Sequence, residues 1–162
     1  MIEFKRVLVP LDGSSLSERA LPVARALARK FESQIILLRV LDIPTPTAPT
    51  SHPEETMGWV REARRYALQE AQSYLETIQR ALYGEGFETR ILLRDRSPAE
   101  DILDVACAED IDLIVMSSQG KGGLARWTFG SVAERVARHS PCPVLLVRQE
   151  TETASEPSPT DM

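Results

Sequence analysis

Apolar residues fall along this chain in two alternating rhythms. Val7-Leu8-Val9, Ile35 to Val40, Arg90 to Leu93, Ile111 to Met116 and Val144 to Val147 are short, mostly aliphatic runs, several of them β-branched, and they read as strands buried on both faces. Between them the apolar positions recur at helical spacing: Leu16, Ala20, Val23, Ala24, Leu27 and Phe31; Val60, Ala63, Ala67, Ala71, Tyr74, Ile78 and Leu82; Ile102, Leu103 and Ala106; Val132, Val136 and Ala137. Strand and helix alternate throughout, which predicts an α/β fold: a parallel sheet covered by helices on both faces and joined by right-handed crossovers.

Punctuation sharpens some boundaries. Ser97-Pro98-Ala99-Glu100 predicts a capping box, with serine as N-cap, proline at the first helical position and glutamate three residues on. Gly84 and Gly86 suit a left-handed helix end. Pro22 falls several positions into the first helix and predicts a bend. Ile43 to Gly58 carries four prolines among threonines and reads as a long surface loop. From Gln149 on, Glu, Thr, Ser and Pro replace apolar residues, so 149–162 reads as an acidic, disordered tail behind a single domain over 1–148.

The totals narrow the class. A chain of 162 residues can bury about two thirds of its unfolded surface without staples. The net charge is −5, and removing the four tail carboxylates leaves only −1 on the body. No basic stripe suits nucleic acid, and the arginines of the second helix (Arg61, Arg64, Arg65, Arg80) interleave with glutamates as a solvated face. Cys107 and Cys142 sit inside apolar patterns without metal-ligand spacing and are expected to be buried, inert thiols. No leader pattern and no apolar run near 18 residues is present, which points to a cytoplasmic protein without a membrane partner.

Chemistry concentrates at the ends of two strands. Met116 to Ser131, MSSQGKGGLARWTFGS, places glycines at 120, 122 and 123 after a strand and opens a helix at Gly130-Ser131. Glycines admit positive φ and close approach, so successive N–H groups can turn toward an anion, and a helix start adds unpaired N–H groups and a positive dipole end. Together they suit phosphate, with Lys121 supplying a cation. The spacing is neither a P-loop nor G-x-G-x-x-G. Pro10-Leu11-Asp12-Gly13-Ser14 follows the first strand, and the two segments converge if the first and fourth strands are neighbours. Asp12 also suits a turn or cap, and Ser131 an N-cap. Trp127 and Phe129 read as packing residues, and nothing in the sequence positions His52 or His139 for catalysis.

At these residues the chain resembles the universal stress protein family, in its single-domain, ATP-binding branch. The resemblance rests on VLVPLDGSSLSERAL, IILLRVLD and IDLIVMSSQGKGGLARWTFGSVAERVARHSPCPVLLV. The family pattern G-x2-G-x9-G-[ST] is met at Gly120, Gly130 and Ser131, with Ser117 in place of the first glycine. The resemblance implies a five-stranded parallel sheet in the order 3-2-1-4-5, of the Rossmann-like, adenine nucleotide alpha hydrolase-like type. Nucleotide would lie between the first and fourth strands, and a homodimer would form through Val144 to Val147. It places Pro10 and Asp12 near ribose and adenine, Val40 and Met116 along the base, Ser117 and Gly120 near ribose and phosphates, and Gly130, Ser131, Val132 and Ala133 on the phosphate chain. The expected function is a stress-response sensor that binds ATP with Mg²⁺. A nucleotide-independent dimeric scaffold and a slow ATPase or autokinase are the alternatives; no residue is assigned as catalytic or as a metal ligand.

Overall fold

The computed structural model of the chain describes residues 1–43, 51–119 and 129–148. Five strands, β1 (Arg6–Leu11), β2 (Gln34–Val40), β3 (Thr89–Arg94), β4 (Leu113–Ser117) and β5 (Val144–Val147), form one parallel sheet in the order β3-β2-β1-β4-β5. The expected topology is therefore observed. Successive strand residues point to opposite faces, and the core divides accordingly. Val7, Val9, Ile35, Leu37 and Val115 pack with Ala20, Ala24 and Ala28 of α2 (Ala20–Phe31) and with Leu75 and Leu82 of α3 (Pro53–Gly84). Leu8, Ile36, Leu38, Ile114 and Met116 pack with Ile102 and Val105 of α4 (Pro98–Ala108) and with Ala133 and Val136 of α5 (Ser131–His139).

Several helix ends differ from expectation. The bend predicted at Pro22 is instead a break three residues earlier: α1 (Ser15–Glu18) ends, Arg19 forms the joint, and α2 restarts at Ala20. Pro22 then falls in the first turn of α2, where its missing N–H would have had no intrahelical partner. Residues 53–58, expected as loop, belong to α3, which starts with Pro53 at its first turn and Glu54 and Glu55 behind it; proline and acidic residues both favour a helix start. At Ser97 the capping box does not form. Its carbonyl accepts the first helical bond, from Asp101 N–H at 2.8 Å, but its hydroxyl makes no cap. The fully buried Asp101 carboxylate reaches back instead, accepting from the Arg96 backbone N–H and Nε, each at 3.0 Å. Glu100, freed of a capping role, meets Arg135 of α5 at 3.0 Å.

The end of α3 follows its glycines closely. Gly86 has φ +90°. Its N–H donates to the Tyr83 carbonyl, and Phe87 N–H donates to the Leu82 carbonyl, both at 3.0 Å. That is a Schellman closure, with Leu82 and Phe87 both in the core beneath it. The cysteines depart from expectation: Cys107 is exposed and Cys142 only half-buried. The acidic tail lies outside the described residues. No described helix is long and apolar enough to cross a membrane.

Candidate functional site

The neighbouring strands β1 and β4 part company at their carboxyl ends. Their ladder pairs Val7 with Leu113 and Leu8 with Ile114 and then stops, although β1 runs on to Leu11 and β4 to Ser117. Pro10 gives a physical reason. The Lys5 carbonyl accepts from Gln34 on the β2 side and the Arg6 carbonyl from Asp112 on the β4 side, so backbone groups alternate between neighbours. By that alternation the N–H that Pro10 lacks belongs to the β4 side, and the ladder loses its next donor.

A cavity of about 530 Å³ opens there, a size ordinary for small-ligand sites. Its wall includes Pro10, Asp12, Val40, Met116, Ser117, Gly130, Ser131, Val132 and Ala133. Nine residues singled out from the sequence thus meet at one cavity, drawn from four separate segments. Gly120 and Lys121 lie outside the described residues. The two ends of the glycine-rich segment are nevertheless brought together, because Gly130 N–H donates to the Ser118 carbonyl at 2.8 Å. Buried Ser118 is itself held to β5 through Val147.

At the α5 side of the cavity, Gly130 rather than Ser131 is the N-cap, with extended backbone and no side-chain cap bond. Its carbonyl accepts from Glu134 N–H at 2.9 Å. The N–H groups of Ser131, Val132 and Ala133 therefore begin the helix without intrahelical acceptors, at its positive end. Across the cavity, Asp12 builds the turn that carries it. Its Oδ1 accepts from Ser14 N–H at 2.8 Å and from the Ser14 hydroxyl at 2.5 Å. Ser14 in turn caps α1 by accepting from Ser17 N–H at 3.2 Å. The turn role and a place on the cavity wall are both realised in one residue. Val40, one step past the paired Leu11 and Arg39, directs its carbonyl toward β1, which has already turned away at Asp12.

The sequence reading passed over Arg39, the one cationic side chain among the described residues of the wall, as well as Asp42, Pro98 and Ile102. Arg39 sits on the face toward α3, with its guanidinium 5.6 Å from the centre of the Tyr74 ring. The Tyr74 hydroxyl donates to Glu18 at 2.8 Å. Burial, followed by the Glu18 carboxylate, raises the Tyr74 phenol well above its ordinary value, with Arg39 pulling the other way. Phe129 lies under the Arg148 guanidinium at 5.4 Å, outside the wall.

The family model of the universal stress proteins matches residues 3–148. The chain belongs to the universal stress protein family. It is 35% identical over 147 residues to a universal stress protein of Thermus aquaticus, with 90% of this chain and 99% of the relative covered. It is 31% identical, over 90% of this chain and 83% of the relative, to a universal stress protein of Methanocaldococcus jannaschii. Among solved structures, that of MJ0577 from the same organism superposes with a TM-score of 0.80 at 29% identity, covering 93% of this chain and 100% of the other. More distant family members share the fold: one solved with cAMP (TM-score 0.59, 21% identity, 91% and 99% covered) and one from Arabidopsis thaliana with AMP bound (TM-score 0.64, 18% identity, 94% and 97% covered).

Proposed function

We propose that this chain is a cytoplasmic stress-response module that binds an adenine nucleotide, ATP accompanied by Mg²⁺, in the crevice between β1 and β4. The observation that carries the reading is the pairing, across one cavity, of an uncapped helix N-terminus with an apolar slot. The N–H groups at Ser131 to Ala133 suit phosphate oxygens. Met116 and Val40, with the Val40 carbonyl, suit the flat face and polar edge of a base. Family members solved with cAMP and AMP support adenine as the base. Among the described residues no cluster of three potential metal ligands occurs. Mg²⁺ needs no such cluster when it keeps waters and is held mainly by phosphates. Binding, rather than turnover, suits a wall whose carboxylates among the described residues are Asp12, tied into its own turn, and Asp42.

Mass spectrometry of small molecules released on denaturing the purified protein, together with calorimetric titration of ATP and Mg²⁺, tests the reading. Bound or titratable adenine nucleotide, weakened by Val40→Trp, is expected. No released nucleotide and no binding at several temperatures would leave a nucleotide-independent dimeric scaffold as the better account. Multiple turnovers abolished by Asp12→Ala would instead mark an enzyme.

A further inference from the structure

We propose that Arg39 is the residue through which this cavity recognises the charge of its ligand, donating from its guanidinium to an anionic group of a bound nucleotide. The inference rests on the nucleotide reading above and deepens it. Arg39 Nε and Nη1 are buried and have no hydrogen-bond partner among the described residues, although a buried charged donor left without an acceptor is costly. The Glu18 and Asp12 carboxylates act, with Arg39, on the same Tyr74 phenol, and each already accepts from another donor. Glu18 accepts from Tyr74, and Asp12 accepts from both donors of Ser14.

The side chain lies against the face of Tyr74 and beneath the Asp12-Gly13 turn. A Cβ on Gly13 would come within 2.3 Å of Nη1, so glycine there makes room for the guanidinium. A cation held by an aromatic face and a glycine, at the wall of a cavity that also exposes a helix N-terminus, is left to be satisfied by what enters the cavity. Arginine suits that task because its planar donors match phosphate oxygens in pairs.

The test measures binding of four probes, adenosine, AMP, ATP and tripolyphosphate, to wild type, Arg39→Met and Arg39→Lys, with thermal unfolding run on each variant. Arg39→Met is expected to weaken AMP, ATP and tripolyphosphate about tenfold or more and adenosine less than about twofold, with Arg39→Lys in between. Equal losses for adenosine and AMP would show that Arg39 only shapes the site, and unchanged AMP and ATP affinity would remove it from recognition; either result overturns the proposal. If Arg39→Met fails to fold, Arg39→Gln is read by the same criteria. Wild type that binds tripolyphosphate through Arg39 but no adenine compound would refute the nucleotide reading while upholding Arg39. Wild type that binds none of the four would refute both.

Discussion

A methyl group added at Gly13 would meet two obstacles. The backbone there has φ +83°, a region costly for side chains, and the new Cβ would sit 2.3 Å from Arg39 Nη1. Gly13→Ala is therefore expected to lower stability by about 1–3 kcal/mol in urea unfolding, and to weaken nucleotide binding because the turn carrying Asp12 shifts. Tyr74 makes a second prediction through pH. Its native form holds the phenolic proton at pH values where an unfolded chain, with an ordinary value near 10, would release it. The resulting stabilisation is complete below pH about 10 and declines as pH rises through the higher native value. Stability measured from about pH 9 to 11 should thus fall more steeply in wild type than in Tyr74→Phe; parallel curves would show that Tyr74 has no such role. Cysteine burial, by contrast, was misread because an apolar pattern, whether along α4 at Cys107 or just before β5 at Cys142, does not say how much of a residue is covered. With Cys107 exposed and the Cys142 thiol raised first by burial, a thiol reagent should modify Cys107 first, checked by peptide mass.

At the scale of elements, α5 offers a way to separate folding from binding. Ser131 is exposed at the first position of that helix, behind an N-cap that contributes no side-chain bond. A carboxylate there interacts favourably with the helix dipole and unfavourably with an incoming phosphate. Ser131→Asp should leave stability unchanged or raise it by about 0.3–1 kcal/mol, while ATP titration shows markedly weaker binding. Undiminished affinity would remove the α5 terminus from the site. The strands and the order of elements were legible in the sequence because buried strands are continuous apolar runs and their spacing leaves only βα units between them. The caps were less legible, and each miss has a local cause. Ser97 satisfied the capping-box pattern, but Arg96 turned the Asp101 carboxylate back onto the turn. Pro53 began a helix inside a stretch whose prolines read as loop, because proline is equally at home in a turn and in a first helical turn.

At the scale of the whole molecule, the candidate site was legible where residues lay at a strand end or a helix start in sequence, as Pro10, Asp12 and Met116 do at strand ends and Ser131 does at the start of α5. Arg39 escaped notice because an arginine inside an aliphatic run carries no motif; its meaning depends on β2 lying beside the turn that follows β1. The remaining large surface feature is the outer edge of β5. Its four residues are only half-buried, and β5 ends the sheet, so a row of its backbone groups lacks a neighbouring strand among the described residues. Ile114 of β4 and Ser118 just after it donate to the Pro143 and Val147 carbonyls, which leaves Val144 and Leu146 with backbone directed outward. Two chains could pair there about a twofold axis, as in the homodimer that the family resemblance leads one to expect. Sedimentation equilibrium should then give a mass near twice the 18.1 kDa of one chain. Val144→Pro removes one outward donor at the start of the strand, where proline is tolerated, while leaving the ladder to β4 in place. It should shift the equilibrium toward monomer with little change in far-UV circular dichroism. A wild type that sediments as a monomer across its soluble range would refute the dimer, and a variant as dimeric as wild type would place its interface on another surface.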